Sequence, residues 1–142
     1  MNFVSEVIAD KGDRVHSIHP TATVLDAVRE MAARQVGSLV VLKDGALIGV
    51  ITERDYARRG VLHGRRSDET LVETIMTPNP LTVKSSMSID VCMEIMTDQR
   101  VRHLPVMDDT RLIGLVSIGD LVRAIIQRQR ETIEQLRDYI AS

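Results

Sequence analysis

Two short segments carry the residue types best suited to holding a ligand. Thr52-Glu53-Arg54-Asp55 and Ser117-Ile118-Gly119-Asp120 share one pattern: a hydroxyl, two residues, then an acid. As plain helix chemistry this is a capping box, with the hydroxyl and the acid satisfying free N–H groups of the first turn. The same geometry leaves other N–H groups and the positive end of the helix dipole facing outward, which suits a phosphate. The two uses are compatible, and Thr52 could both cap and touch a phosphate oxygen. Arg58, Arg59, Arg65 and Arg66 follow the first segment. That run reads as a solvated face, with an extended polyphosphate or dinucleotide tail as the sharper alternative. His19 and His63 have no spacing to acids or cysteine that suggests a metal site. Cys92 is the single cysteine and falls on an apolar helical stripe, where a packed thiol is expected. No nucleophile–base pair and no Gly-rich phosphate loop ending in Lys-Ser/Thr is present, so the sequence speaks against an enzyme.

The elements that position these segments are duplicated. Val36, Leu39, Val41, Asp44, Leu47, Ile48, Gly49, Asp55 and Arg58 recur 65 positions later as Val101, Leu104, Val106, Asp109, Leu112, Ile113, Gly114, Asp120 and Arg123. A fixed-period repeat means two copies of one supersecondary unit. Each copy predicts a short strand (14–18 and 81–84), then a helix capped by Thr23 or Ser88. A hairpin follows, with strands at 38–43 and 47–52, and at 104–108 and 112–117. A closing helix starts near Glu53 and near Ile118. The unit is βαββα, and the fold class is α+β. The boundary is placed so that 1–65 holds the first repeat with an N-terminal segment and 66–142 the second with a C-terminal helix. Leu71–Met76 reads as one helical turn stopped by Pro78 and Pro80, and Phe3–Ile8 as its counterpart before copy one. From that apolar segment to its strand, copy one is about three residues longer. The last helix runs on: Val122, Ile126, Gln129, Ile133, Leu136 and Ile140 step by four and three, a seam that packs on its own domain or on a second copy.

Composition bounds the function. The chain has 142 residues, 44% apolar and 27% charged, with a net charge of -2. That balance argues against generic nucleic-acid or membrane-surface binding. Phe3, Tyr56 and Tyr139 are its whole aromatic set, too few for a base-stacking platform. No secretory signal or apolar span is expected at its start, so the cytoplasm is the default.

Ile48-Gly49-Val50-Ile51-Thr52-Glu53-Arg54-Asp55 and Ile113-Gly114-Leu115-Val116-Ser117-Ile118-Gly119-Asp120, with His103-Leu104-Pro105-Val106 and Met76-Thr77-Pro78, resemble the tandem cystathionine-β-synthase (CBS) domain pair, of the stand-alone bacterial type. The resemblance covers nearly the whole chain. It implies a regulatory module in which two related clefts between the repeats accept an adenosine-containing ligand: AMP, ADP, ATP, adenosylmethionine or NAD. It also implies a homodimer and an effector protein that the sequence does not name. Carried over residue by residue, Asp55 and Asp120 would accept the two ribose hydroxyls, and Thr52 and Ser117 would lie near ribose or phosphate. Arg54 would pair with phosphate, and Gly119, at the same position in copy two, offers only backbone. The Asp55 site is therefore expected to have a cation where the Asp120 site has none. Val36, Gly37 and Ser38, and Val101, Arg102 and His103, would line the adenine pocket. Met76, Thr77 and Leu81 would contact adenine at the Asp55 cleft, and His16 would do so at the Asp120 cleft. Bland alternatives stand beside two of these: Arg102 as an exposed helix-end cation and His103 as a partly buried neutral imidazole.

Overall fold

Thr23 and Ser88 do cap the two long helices of the repeats. In the computed structural model, which describes residues 1–12 and 14–142, the Thr23 hydroxyl accepts from the Asp26 N–H and the Asp26 carboxylate reciprocates on the Thr23 N–H. The Ser88 hydroxyl accepts from the Val91 N–H. These helices, α2 (Val24–Arg34) and α5 (Ile89–Gln99), both end on a left-handed residue, Gln35 and Arg100. The chain divides into two compact units, Arg14–Leu81 and Met1–Asp13 with Thr82–Ser142.

In the Arg14–Leu81 unit, β1 (Ser17–Ile18) runs parallel to β2 (Ser38–Lys43), which pairs antiparallel with β3 (Ala46–Thr52). The turn between them uses Asp44 and Gly45, both at positive φ, the requirement of a tight hairpin turn. From β3 the chain enters α3 (Glu53–Asp55), a π-helical turn (Tyr56–Gly60) and a 3-10 turn (Val61–His63). Then come α4 (Val72–Ile75) and β4 (Thr77–Pro78), the latter antiparallel to β3. Val24, Ala27 and Met31 of α2 meet Leu39, Val41 and Ile51 of the sheet and Val72 and Ile75 of α4 in one buried core.

In the second unit, α1 (Val4–Lys11) and α5 pack with the β5 (His103–Asp108) and β6 (Arg111–Ser117) hairpin and the start of α6 (Ile118–Ala141). Val4, Val7 and Ile8 are buried there. At roughly 1.5–3 kcal/mol per buried aliphatic side chain, α1 is an integral layer of this unit.

The compact units do not follow the boundary expected between residues 65 and 66. The apolar segment before each repeat packs in the unit of the other: α4 precedes copy two but belongs with copy one, and α1 precedes copy one but belongs with copy two. Gly49 and Gly114 explain the fit. A Cβ on Gly49 would stand 2.5 Å from the Met76 Sδ, and one on Gly114 2.5 Å from the Ile8 Cδ1. Each glycine clears the space that a lead-in side chain fills. Met76 and Ile8 lie 68 apart, against 65 for the glycines, so the three-residue surplus anticipated in the sequence falls between α1 and β1.

One expected strand is reduced. The segment predicted at 81–84 makes a single parallel bridge, Val83 to Val106. In copy one the Val40 N–H donates to the His16 carbonyl, which extends the pairing of β1. The equivalent of Val40 is Pro105, which has no N–H to offer Leu81, so that rung is lost. The closing helices also differ: copy two continues as one 24-residue helix, while copy one breaks into π and 3-10 turns.

Candidate functional site

The two acid segments fold alike at their centres. Thr52 ends β3 and Ser117 ends β6; each is the N-cap of the following helix. The Asp55 N–H donates to the Thr52 hydroxyl (3.0 Å), and the Thr52 N–H donates to the Asp55 Oδ2 (3.0 Å). In copy two the corresponding bonds are 3.1 Å and 2.9 Å. The capping box is thus fully made at both places. Both acids are nonetheless buried, each at 8% exposure.

The segments before β2 and β5 close each site from behind. Glu53 donates its N–H to the Gly37 carbonyl (3.0 Å) and Ile118 donates to the Arg102 carbonyl (2.9 Å). Ser38 is buried and pairs with Thr52; His103 is half-buried and pairs with Ser117. Val36 and Val101 donate backbone N–H groups to Met31 and Met96, which ties the lead-in of each strand to its helix. Burial, with Lys11 and Arg102 nearby, pushes the His103 pKa down against the pull of Asp120, so the imidazole is neutral at pH 7.

Around the two acids the likeness ends. At Asp55 the Thr77 hydroxyl donates to Oδ1 at 3.4 Å, and the Arg59 Nε stands 4.0 Å away. Arg59 is anchored instead on the Met76 carbonyl at 3.0 Å. Burial raises the Asp55 pKa, only partly offset by the Thr52 bonds, Arg59 and Thr77. At Asp120, Lys11 Nζ donates to Oδ2 at 2.8 Å and Arg123 donates to Oδ1 at 2.6 Å. Burial pushes this carboxyl up as well, but the Lys11 bond, the Ser117 bonds and the Lys11 charge outweigh it and the net direction is down. A cavity of about 500 Å³ opens beside it, lined by Val7, Asp10 and Lys11 of α1 and by Arg123, Ala124 and Gln127 of α6.

The expectation that the Asp120 site has no cation is therefore overturned. Asp120 has two cations on it, and Arg54 is exposed on α3. The reason lies outside the motif: Gly119 brings no charge, but α1 delivers Lys11 and the regular first turn of α6 delivers Arg123 from three residues on. The sequence repeat pairs Arg123 with Arg58, yet Arg59 is the one near Asp55, because the π-helical turn after Asp55 shifts the register by one residue. Met76 and Thr77 lie in the Asp55 unit beside β3. Leu81 is 48% exposed at the end of the unit, and His16 supports β2 through its carbonyl in the Asp55 unit. Lys11 is the residue sequence reasoning passed over. The apolar match of Val4, Val7 and Ile8 with Val72, Ile75 and Met76 would have found it, by placing Lys11 three residues past the packed Ile8.

Among the described residues no group of three His, Cys, Asp or Glu side chains could hold a metal ion, and no helix is long and apolar enough to cross a membrane. Cys92 is buried, and burial pushes its thiol up to about 11.

Comparison with known proteins agrees with this architecture. The CBS domain family model matches residues 4–61 and 72–127. CBSX3, a mitochondrial CBS domain-containing protein of Arabidopsis thaliana, is 47% identical over 123 residues, covering 83% of this chain and 60% of its own length. The chain thus spans three-fifths of that relative. A CBS-domain protein structure from Burkholderia ambifaria MC40-6 superimposes with a TM-score of 0.86 at 43% identity, covering 89% of this chain and 96% of that one. CBSX2, solved in complex with AMP, gives a TM-score of 0.74 at 27% identity, covering 91% and 99%. With both family matches falling on the two βαββα repeats, the chain belongs to the CBS-domain family as a tandem pair.

Proposed function

We propose that this chain is a regulatory module, not a catalyst, that binds an adenosine-containing ligand such as AMP, ADP, ATP or NAD. The ribose is gripped by a carboxylate at the head of a capped helix. The observation that carries the reading is Asp55: a buried acid with one oxygen on the Thr52 N–H and the other, among the described residues, meeting a long hydroxyl contact and a distant Arg59. A carboxylate in that state can accept both hydroxyls of a vicinal diol. Thr52 and Arg54 would serve the phosphate, and Ser38, Met76 and Thr77 the base. The AMP complex of CBSX2 supports the ligand class. Regulation follows if an effector protein meets two conformations that differ in ligand affinity.

Thermal unfolding with a panel of adenine ligands tests this. A ligand at a hundred times its Kd adds about 2.7 kcal/mol. At roughly 2–4 °C per kcal/mol for a chain of this order, the midpoint rises by several degrees. No shift with any of the four at millimolar concentration overturns the reading.

A second reading, a ligand-independent dimerisation or adaptor module, is favoured by one observation. Ile133, Leu136, Tyr139 and Ile140 of α6 are 49–82% exposed. Ile133→Glu is expected to convert a dimer to monomers in light scattering; an unchanged oligomer removes the motive for that reading.

A further inference from the structure

We infer that Lys11 makes the two acids inequivalent: the ribose binds at Asp55, while Lys11 and Arg123 hold Asp120 closed to it. This rests on the ribose-binding reading above and adds which site fills and which residue decides it.

The argument is a count of acceptor positions. A carboxylate has two oxygens and about four lone-pair positions, and a vicinal diol brings one hydrogen to each oxygen. At Asp120, Oδ2 already accepts from the Ser117 N–H (2.9 Å) and from Lys11 (2.8 Å), and Oδ1 accepts from Arg123 (2.6 Å). A diol arriving there must first expel an ammonium. At Asp55, among the described residues, Oδ2 accepts only from the Thr52 N–H, and Oδ1 meets only the Thr77 hydroxyl at 3.4 Å, with Arg59 beyond hydrogen-bond reach. One position on each oxygen is open.

Lys11 is not a loose end that would yield easily. It is the last residue of α1, whose Val4, Val7 and Ile8 are buried, so a packed helix aims it. Its ammonium is held a second time by the Leu115 carbonyl at 2.9 Å. The matching segment of the other unit cannot do this. Thr77 precedes Pro78, which disfavours helix, so α4 stops at Ile75 and the chain lies along β3 as a strand. It presents a hydroxyl where α1 presents a cation. The difference between a weak neutral donor and a charged one is the difference between an open and a closed acid.

Calorimetric titration of the full chain with AMP tests this. The unmodified protein is expected to take one AMP per chain, and Asp55→Asn to lose it. Lys11→Met is expected to show a second AMP site, tightened at least about tenfold, since hydrogen bonds to charged groups contribute at least about 1.5 kcal/mol. Adding Asp120→Asn to Lys11→Met is expected to remove that second site. Retention of the first site in Lys11→Met shows that the variant is folded. If Lys11→Met gains nothing while the Asp55 site remains, or if Asp55→Asn keeps the site of the unmodified protein, the inference is wrong and ribose binding stands. If no variant binds AMP or another adenine ligand, the ribose reading itself fails and this falls with it.

Discussion

Gly49→Ala is a sharp test of how β4 is brought against the Asp55 site. A Cβ built on Gly49 would lie 2.5 Å from the Met76 Sδ, 3.2 Å from the Met76 Cγ and 3.0 Å from the Thr77 carbonyl oxygen. The Met side chain has three rotatable bonds and can swing aside. The carbonyl cannot, because it belongs to the strand that pairs Gly49 with Pro78 and Val50 with Thr77. Overpacking a filled site costs about 1–3 kcal/mol. Replacing a strand glycine otherwise favours the fold by roughly 0.5–1 kcal/mol. The net expectation is a loss of about 1–2 kcal/mol, or roughly 2–8 °C in the thermal midpoint. Gly114→Ala offers the comparison, because all three atoms that its Cβ would meet belong to the Ile8 side chain. A double-mutant cycle separates the two cases. In an Ile8→Ala background, Gly114→Ala is expected to cost almost nothing. In a Met76→Ala background, Gly49→Ala still meets the Thr77 oxygen and is expected to keep a measurable penalty. Circular dichroism melts and urea curves on the four single and two double variants supply the numbers. Complete rescue at both glycines would refute the close backbone approach of β4, and with it the reason Thr77 reaches Asp55.

Further outcomes concern protons. Asp55 is raised by burial, so between the ordinary carboxylate value near 3.8 and its raised value the folded state binds more protons, and this acid's contribution makes the fold less stable as pH rises through that window. Ribose binding needs the ionised form, so AMP affinity is expected to weaken as pH falls toward that raised value; a flat profile from pH 7.5 down to the ordinary carboxylate value near 3.8 contradicts it. Asp120 runs the other way: it contributes stability above the ordinary carboxylate value that is lost as pH falls through its lowered one. His103 is held down by burial and by the Lys11 charge, so Lys11→Met is expected to raise its pKa in an NMR titration of the imidazole; an unchanged or lower value argues against Lys11 standing in this cluster.

Much of this fold was legible because its rules are local. Thr23 and Ser88 announce helix starts, Asp44-Gly45 announces a hairpin, and strict repetition fixes the strands on either side. Where the reading slipped, the deciding partner was distant. Pro105 reads as an ordinary strand-edge residue until it is set against Val40, whose N–H supplies the rung that Pro105 cannot. The π-helical turn after Asp55 has no composition signal, yet it exchanges Arg58 for Arg59 beside the acid.

The deepest miss was the charge on Asp120, and its cause is general for a duplicated fold. The motif Ser/Thr-x-x-Asp fixes the backbone around each acid, so the two copies look interchangeable from sequence. The second layer comes from a segment that precedes the other repeat, and nothing forces those segments to match. Here one helix stops at Ile75, ahead of Pro78, and the other runs a further turn to Lys11, 109 residues from the acid it touches. Duplication thus supplies two equal carboxylates, and divergence in the exchanged lead-ins is enough to give them different partners. Selection on a few residues of α1 can retune one acid without altering its motif, because Lys11 belongs to α1, whereas the motif belongs to β6 and the first turn of α6.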